Sequence, residues 1–377
     1  EAILKETIKS ILSSLDIKIN NITESGIGMT IPAYRNDVTR EVDVIEEILR
    51  VYGYNKIQFK SKLNASVSKS SRFADHKIQQ VTGNLLASLG FNEILNNSLT
   101  TPVYASLNDA FKEDYNVTML NPLSTDLSVM RQSLLFSGLE VVAFNSNRRQ
   151  PDLKLFEFGK SYHNFPGGRE EHKHLTLLLS GKQNAENWFQ QQQNTTFFNL
   201  KGNVEAVLSR LGIAQWKVKP LKDAQFSEGL EYSVQKKQVV SFGLVSKAIR
   251  NHFDIEQEVL YADFNWDTIL DLVQQNKIKF APIPKNPAVR RDFALLLDQE
   301  VTFDQIYQEA YMVEKKLLKN VALFDVYEGE NLPEGKKSYA VSFTLQDEHK
   351  TLTDKEIDKI MNKLQQRFEK SLNAELR

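Results

Sequence analysis

Four carboxylates lie close together around one predicted helix start, in a pattern that could bind a divalent cation. Asp37 precedes the helix, and three further acids follow with helical spacing on one surface: Asp43, Glu46 and Glu47. A hard cation such as Mg2+ suits a set of carboxylate oxygens and water, and without a cation these charges would repel each other. The segment is therefore a candidate magnesium site, in front of an apolar stripe that is expected to be buried: Val42, Ile45, Leu49 and Tyr52.

The same four acids also fit an acidic helix face that is simply exposed to solvent. In that alternative, Arg40 pairs with Asp43, and Arg50 pairs with Glu46 or Glu47. Exposed ion pairs of this kind are common and contribute little to stability. From spacing alone, the exposed acidic face is the favoured interpretation.

A second candidate for metal binding is the pair His172 and His174, which flank Lys173 next to a predicted strand. Alternate residues of a strand face the same side, so both imidazoles could reach one zinc ion. No third ligand follows nearby in the sequence. Ordinary surface histidines are therefore the favoured interpretation of this pair.

The acidic helix belongs to a small α+β module that is expected over residues 1 to 60. Its other elements are a helix over residues 1 to 14 and strands over 16 to 22 and 28 to 32, joined by a turn at Ser25-Gly26. The chain opens on Glu1 inside a helical pattern, which indicates the interior of a longer protein. Residues 58 to 74 are polar and rich in serine and lysine, so they are expected to form a linker or surface loop.

A second module is expected over residues 73 to 281. It opens with an amphipathic helix that stops at Gly90. Strand-like runs then outnumber helices, which predicts an antiparallel α+β sheet. The strands are expected at 117–120, 153–158, 175–180, 232–234, 239–245 and 259–264, and the helices at 127–147, 198–211, 247–252 and 266–273.

A third module is expected over residues 285 to 377, after a boundary that Pro282, Pro284 and Pro287 mark by restricting the backbone. Its pattern reads strand, helix, strand, strand, helix, strand, which is the ferredoxin-like order. The elements are expected at 293–297, 303–318, 321–327, 339–345, 354–371 and 374–376.

Basic residues near the strands of the third module could form a rim that binds RNA phosphates. They are Arg290, Arg291, Lys336, Lys337 and Lys350. The alternative is a set of solvated loop charges, and the residues alone favour it because the acids of this module roughly balance its bases. The alternating apolar residues of one strand are expected to face the helices as core: Tyr339, Val341, Phe343 and Leu345.

Composition narrows the range of functions. A chain of 377 residues with 41% hydrophobic residues can bury sizeable cores, and it suggests two or three domains. No run is long and apolar enough for a membrane span, and no secretory leader precedes the first helix, so no membrane partner is expected. The absence of cysteine excludes disulfides and thiolate chemistry. A net charge of -1 gives no overall attraction for polyanions, so RNA contacts must be local and no DNA partner is expected.

Ordered motifs along the chain closely resemble the beta subunit family of bacterial phenylalanyl-tRNA synthetase. In the first module they are AYRND at 33–37, the acids and RVYGY at 50–54; in the second, NPLS at 121–124, RQSL at 131–134 and LFEFG at 155–159. In the third they are RD at 291–292, FDVY at 324–327, KSYA at 337–340, TLTD at 351–354 and LR at 376–377. The resemblance covers all three modules, and it implies a small winged-helix-like domain, a class II synthetase catalytic-like domain and a ferredoxin-like anticodon-binding domain.

The resemblance also implies ligands and partners. In that family four carboxylates bind Mg2+ at the contact with the alpha subunit, which implies this role for Asp37, Asp43, Glu46 and Glu47. It further implies an alpha2-beta2 enzyme in the cytoplasm, in which the alpha subunit uses ATP and the enzyme binds tRNA(Phe). For Arg290, Arg291 and their neighbours, it makes anticodon recognition the leading interpretation.

The second module resembles a catalytic domain that lacks its nucleotide grip. Class II synthetases hold ATP with one arginine on a strand and another after a glycine-rich stretch. Arg131 and Glu157 lie in the first region, but the late strand LYADFNW at 260–266 has neither an arginine nor a glycine-rich run. Without charge stabilisation of the transition state, amino-acid activation would lose its largest electrostatic contribution. The module is therefore expected to be a scaffold, with Arg131 and Glu157 as an internal ion pair or interface residues and no catalytic residue in the chain.

The expected function is thus scaffolding and tRNA binding within a phenylalanine tRNA ligase, whose chemistry belongs to the partner. One alternative is a stand-alone, non-catalytic RNA-binding or assembly protein that reuses these modules. A self-sufficient ligase is disfavoured by the missing late arginine.

Overall fold

The computed structural model describes residues 3–24, 26–57, 66, 74–109, 111–276, 280, 282–329 and 332–377. The chain divides into two compact units, Glu1–Val81 and Thr82–Arg377. Several expectations fall outside the described residues. These are the linker over 58–74 apart from Ser66 and Ala74, the first two residues of the first helix, Ser25 of the turn, and the predicted end of the second module at 281.

The first unit contains a small α+β module. Leu12, Ile17, Val38 and Val44 form its core, and the two strands pair antiparallel with Lys18 opposite Thr30. The α+β class expected for this module is confirmed. Its elements are α1 Lys5–Ser14, β1 Lys18–Ile22, β2 Ile27–Thr30 and α2 Glu41–Tyr52.

The prediction of the buried stripe of α2 was wrong. Val42 and Ile45 are 59% and 48% exposed, whereas Val44 and Glu47 are buried. The helix carries apolar residues on two opposite sides, so periodicity alone does not identify the side that meets the core. The buried side of α2 is the one that contains Val44 and Ile48. These residues pack into the core that α2 forms with α1 and the strands.

The second unit begins with a mixed α and β region, and its helix α3 crosses the division between the units. The strands are β3 Asn92–Glu93, β4 Leu99–Thr100, β5 Val117–Thr118, β6 Val129–Met130, β7 Leu153–Phe165, β8 Gly168–Ser180, β9 Lys217–Pro220, β10 Phe226–Val234, β11 Lys237–Val245 and β12 Val259–Asn265. The helices are α3 Asp75–Ser88, α4 Leu135–Ser146, α5 Phe197–Arg210, α6 Lys247–His252 and α7 Trp266–Gln275.

These strands form a seven-stranded sheet and a small three-stranded sheet. The larger sheet has the order β3-β7-β8-β12-β11-β10-β9, and every neighbouring pair in it is antiparallel except β3 with β7. The smaller sheet has the order β4-β6-β5. The predicted antiparallel α+β architecture is confirmed.

One predicted helix was too long. The helix expected over 127–147 begins only at Leu135, and Val129 and Met130 instead form β6 between β4 and β5. Leu127, Met130 and Leu134 have a helical spacing, which explains the error. Pairing with strands that are distant in sequence outweighs this local pattern.

The two faces of the seven-stranded sheet differ in chemistry. Glu157 of β7 lies opposite Thr176 of β8, and Thr176 lies opposite Asp263 of β12, so all three share one face. Ser161 and His174 lie on the same face because side chains alternate along each strand. We call these five residues and their surroundings the polar face. The other face carries apolar side chains of β8 and β12 and packs against α5 and α7.

The last part of the second unit has the predicted ferredoxin-like order. Its elements are β13 Val289–Asp298, α8 Phe303–Val313, β14 Leu318–Tyr327, β15 Lys336–Leu345, α9 Asp354–Leu372 and β16 Glu375–Leu376. The sheet has the antiparallel order β14-β15-β13-β16. The helix α8 ends five residues earlier than expected because Leu318 already starts β14.

One face of this four-stranded sheet forms a core with the two helices. Val341, Phe343 and Leu345 are fully buried against residues of α8 and α9, and Tyr339 packs against the same core. The expectation that these residues are core is confirmed. Among the described residues, no helix combines the length and apolar character that a membrane span requires.

Candidate functional sites

Asp43 holds the start of α2. Its Oδ2 accepts hydrogen bonds from the backbone N–H groups of Thr39 and Arg40, at 3.0 and 2.8 Å, and the Arg40 guanidinium lies 3.1 Å from Oδ1. The hydrogen bond from the Arg40 side chain, followed by those from the two amides, lowers the pKa of Asp43 to about 2. A carboxylate in the first turn of a helix satisfies donors that have no partner within the helix. Both oxygens of Asp43 are therefore engaged.

Glu47 is buried between two arginines. Its Oε1 lies 3.0 Å from Arg35 Nη2, and its Oε2 lies 2.5 Å from Arg50 Nη2. The hydrogen bonds from Arg50 and Arg35 lower the pKa of Glu47. Arg35 also lies 3.4 Å from Asp37 and lowers the pKa of that carboxyl. Two of the pairs proposed for the exposed alternative, Arg40 with Asp43 and Arg50 with Glu47, are thus present.

The four predicted magnesium ligands do not form a metal site in this conformation. Asp37, Asp43 and Glu47 are hydrogen-bonded to arginines or backbone amides, and Glu46 is exposed. Within the described part of the chain, no group of three or more His, Cys, Asp or Glu residues could hold a metal ion. Magnesium binding by these residues stays a prediction, and it requires the arginines to move.

Arg131 and Glu157 form a buried ion pair on the polar face. Arg131 Nη1 lies 2.8 Å from Glu157 Oε1, and the two side chains are 4% and 1% exposed. The backbone and side-chain nitrogens of Asn96 also donate to Glu157, and Arg131 Nε donates to the carbonyl of Lys160. Gly159 permits this packing, since a Cβ there would lie 2.3 Å from Arg131 Nη2. The pair is internal, which is one of the two roles expected for it.

The neighbouring histidines differ from each other. His174 Nδ1 lies 2.7 Å from Asp263 Oδ1, and its Nε2 lies 2.8 Å from Ser161 Oγ. Burial lowers the pKa of His174, but the charge and hydrogen bond of Asp263 outweigh this effect, so the pKa is raised. His174 is thus neither a surface histidine nor a free zinc ligand, contrary to both interpretations. His172 fits the surface interpretation, because 44% of its side chain is exposed and it lies 3.4 Å from Glu170.

Four of the five basic residues predicted to contact RNA pair with acids of the same sheet and helices. Lys337 differs, because it is 7% exposed and its ammonium lies 4.7 Å from the ring centroid of Tyr339. These five residues therefore do not form a rim of unpaired charges. The pairs are Arg290 with Asp292 at 2.8 Å, Arg291 with Asp354 at 3.4 Å, Lys336 with Asp298 at 2.9 Å, and Lys350 with Glu356.

The side of the four-stranded sheet that faces away from α8 and α9 combines exposed rings with arginines. The Arg290 guanidinium lies 4.9 Å from the ring centroid of Phe324, and that of Arg377 lies 6.0 Å from the ring centroid of Tyr327. Phe324 and Tyr327 are 54% and 38% exposed. Between the Arg290–Phe324 pair and the Arg377–Tyr327 pair, strands β13 and β15 carry small side chains. We call this surface the open face: Arg290, Ala294, Phe324, Tyr327, Ser338, Ala340, Ser342 and Arg377.

Phe324, Tyr327 and Arg377 were not among the residues predicted to contact RNA, although they lie in the motifs FDVY and LR. A bulge between Leu323 and Asp325 shifts the alternation of β14, so the side on which Phe324 lies cannot be read from the sequence. Arg377 meets Tyr327 only because β16 pairs with β13. The available signal was the pair of aromatic residues, Phe324 and Tyr327, in one predicted strand.

Comparisons with known families match nearly the whole chain. Residues 2–54 match the tRNA synthetase B5 domain, residues 43–266 the phenylalanyl tRNA synthetase beta chain CLM domain, and residues 284–377 the ferredoxin-fold anticodon binding domain. The last match includes the open face.

Curated relatives agree with these matches. The chain is 47% identical to a phenylalanine--tRNA ligase beta subunit of Bacteroides thetaiotaomicron, 40% to that of Porphyromonas gingivalis and 31% to that of Fusobacterium nucleatum. Each alignment covers 99% of this chain and 47% of the relative, so the chain spans about half the length of the curated relatives it matches. Since the CLM match alone covers more than half of the 377 residues, the chain belongs to the phenylalanyl-tRNA synthetase beta chain family.

Proposed function

We propose that this chain supports the ATP-dependent charging of tRNA(Phe) with phenylalanine, as part of the beta subunit of a phenylalanine--tRNA ligase. It contributes scaffolding, subunit assembly and tRNA binding, and an alpha subunit that uses ATP carries out the chemistry. The observation that carries this proposal is the open face, which presents exposed rings and arginines in a module that matches an anticodon-binding domain. The names of the curated relatives support the enzyme class.

The proposed tRNA contact is base stacking on the open face. Phe324 and Tyr327 each offer an exposed ring, and base-aromatic stacking contributes about 1–3 kcal/mol per base. Arg290 and Arg377 lie beside these rings, where a guanidinium can contact a base edge or a phosphate. Ala294 and Ala340 lie opposite each other on β13 and β15. Their small side chains leave room for a flat base above the sheet, between the two ring–arginine pairs.

The five basic residues predicted to contact phosphates differ in how accessible they are to a ligand. Arg290, Arg291 and Lys350 are more than 40% exposed, and exposed ion pairs are weak enough for a phosphate to replace the carboxylate. Lys336 is less accessible, with 18% of its side chain exposed. Lys337 is the weakest candidate because it is buried on the helix-facing side.

Scaffolding is the proposed role of the seven-stranded sheet. Arg131, Glu157, His174 and Asp263 satisfy each other or nearby backbone groups, so few donors remain to hold a nucleotide. Strand β12 supplies neither the arginine nor the glycine-rich run that the catalytic fold would use. Phenylalanine activation is accordingly assigned to the alpha subunit.

The remaining parts of the proposal concern assembly. They comprise an alpha2-beta2 enzyme in the cytoplasm and Mg2+ bound by Asp37, Asp43, Glu46 and Glu47 at the contact with the alpha subunit. The observed pairs of Glu47 with Arg35 and Arg50 oppose metal binding in the free chain. This site therefore requires a change of side-chain partners on assembly.

A truncation separates the roles. The full-length beta subunit, cut before residue 284, is combined with the alpha subunit, and both phenylalanine-dependent pyrophosphate exchange and tRNA charging are measured. We expect charging to fall far more than pyrophosphate exchange, because activation needs no tRNA. Size-exclusion chromatography controls for assembly. Equal loss of both activities in an assembled enzyme would contradict the tRNA-binding role, and failure of the intact subunits to assemble would favour a stand-alone RNA-binding protein.

A further inference from the structure

We propose that Arg35 and Arg50 are built-in counterions of Glu47, which let this chain fold without a metal ion and keep its affinity for Mg2+ low. The inference deepens the proposed function, since it rests on the magnesium site predicted there. It assigns the arginines a regulatory role: Mg2+ binds well only where something else removes them from Glu47.

The contacts of Glu47 carry the inference. The side chain is 11% exposed, and each of its two oxygens faces a different guanidinium, at 3.0 Å from Arg35 and 2.5 Å from Arg50. A carboxylate with so little access to water is costly to bury without a partner charge. The arginines supply that charge, and they do so at any physiological pH because guanidinium does not lose its proton.

Mg2+ and the arginines compete for the same atoms. A magnesium ion needs oxygen ligands close to octahedral geometry at about 2.0–2.1 Å, and these positions cannot also hold a guanidinium. Arg35 is the stronger barrier, because it is 17% exposed and bridges Glu47 to Asp37, a second predicted ligand. Arg50 is 59% exposed and can leave its partner more easily.

Arg40 provides a matched control. It also pairs with a predicted ligand, at 3.1 Å from Asp43, and it is 75% exposed. The backbone amides of Thr39 and Arg40 donate to the other oxygen of Asp43, and neither hydrogen bond needs the Arg40 side chain. Loss of Arg40 therefore leaves Asp43 at the helix start and does not change the partners of Glu47.

The test titrates MgCl2 into the 377-residue chain by calorimetry and records thermal melting in MgCl2 and in EDTA. The variants are Arg35→Gln, Arg50→Gln and the control Arg40→Gln. We expect the unchanged chain and the control to melt at the same temperature in both buffers. Arg35→Gln and Arg50→Gln should bind Mg2+ about tenfold more tightly, because each frees one oxygen of the buried Glu47 carboxylate from its guanidinium, which Arg40→Gln does not. Their melting temperatures should rise with Mg2+.

Two results would overturn the inference. One is an unchanged chain that melts at a lower temperature in EDTA, which would show that folding uses the metal. The other is a folded Arg35→Gln or Arg50→Gln chain that gains no affinity. If Arg35→Gln does not fold by circular dichroism, the more exposed Arg50 decides the question alone. The experiment contains neither tRNA nor alpha subunit, so its failure is distinct from failure of the proposed function.

Discussion

The two larger sheets of this chain both carry arginines on a polar side but use them differently. On the polar face of the seven-stranded sheet, Arg131, which directly follows β6, is 4% exposed and binds Glu157 of β7. In the four-stranded sheet, Arg290 also pairs with an acid, Asp292, but it is 57% exposed and lies against the ring of Phe324. A polar surface whose charged groups are buried against each other behaves as core, whereas one that keeps exposed cations beside exposed rings can bind a ligand. This difference is the physical basis on which we propose one sheet as a scaffold and the other as a binding surface.

Loss of Arg131 should have the largest effect. Arg131→Met leaves the Glu157 carboxylate buried without its partner charge, which we expect to lower the free energy of unfolding by about 3–5 kcal/mol. All three tryptophans, Trp188, Trp216 and Trp266, lie in the region of the seven-stranded sheet, so their fluorescence during urea denaturation reports on it.

Two controls accompany this measurement. Lys160→Met removes an exposed ion pair with Glu171 on the neighbouring stretch of β7, and it should cost less than about 1 kcal/mol. The double variant Arg131→Met with Glu157→Leu should recover part of the loss, because no uncompensated charge remains. A single Arg131→Met variant that is as stable as the Lys160 control would show that the pair is not a structural core.

The fit of Arg131 over β7 gives a second test. Gly159→Ala places a methyl group 2.3 Å from Arg131 Nη2 and 2.6 Å from Leu134 Cδ2, and we expect it to cost about 1–3 kcal/mol. Gly202→Ala in α5 meets nothing within 4 Å and should stabilise by up to about 1 kcal/mol. The same denaturation experiment compares them. Equal effects would mean that Arg131 does not need the glycine.

On the open face, loss of a ring should change binding and not folding. Tyr327→Ala should weaken the affinity of the assembled enzyme for tRNA(Phe) about tenfold, as expected for one stacked base. The control is Tyr307→Ala, because Tyr307 is similarly exposed but lies on α8. Fluorescence anisotropy with labelled tRNA measures both. A loss of the same size in the two variants would argue against base stacking on the open face.

Acidification should have a smaller effect than any of these substitutions. It should act on the region of the seven-stranded sheet and on the ferredoxin-like region in different pH ranges. Burial, followed by repulsion from His172 and His174, lowers the pKa of His163 to about 4. A depressed histidine pKa means stability that is present above the unfolded value of 6.5 and is lost as pH falls towards 4. Lys350 and the Thr353 amide lower the pKa of Glu356 to about 2, so that contribution is lost only below about pH 4.5.

Melting temperatures between pH 7 and pH 5 separate these groups. His163→Phe keeps the stacking on Phe165 and should flatten the decline in stability over this range. Glu356→Gln should leave the slope of that decline unchanged. A decline that persists in His163→Phe would assign the acid sensitivity to another group.

The sequence predicted the core of the four-stranded sheet well and the partners of the polar residues on the seven-stranded sheet poorly. Tyr339, Val341, Phe343 and Leu345 alternate cleanly, so their burial could be predicted from local pattern alone. His174 and Asp263 are 89 residues apart, and Arg131 and Glu157 are 26 apart, so their contacts depend on the register of the strands. For Arg131 and Glu157, an internal pair was an explicit expectation; for His174, nothing local indicated Asp263.

The acidic helix shows a further limit of sequence patterns. The spacing of Asp43 and Glu47 could indicate one helical surface, but not that Arg35, twelve residues before Glu47, returns to bind it. Apolar residues on both sides of α2 left the buried side open. Val44 rather than Val42 meets the core because of contacts with Leu12 and Ile17, which lie in other elements.

The most direct test of the account is photo-crosslinking of tRNA(Phe) to the assembled enzyme, with crosslinked peptides mapped by mass spectrometry. We expect crosslinks on the open face, at Phe324, Tyr327 or Arg377, and none on the polar face of the seven-stranded sheet, from β7 to β8. Crosslinks at Ser161 or His174 with none on the open face would contradict it, because the scaffold would then be the surface that binds RNA.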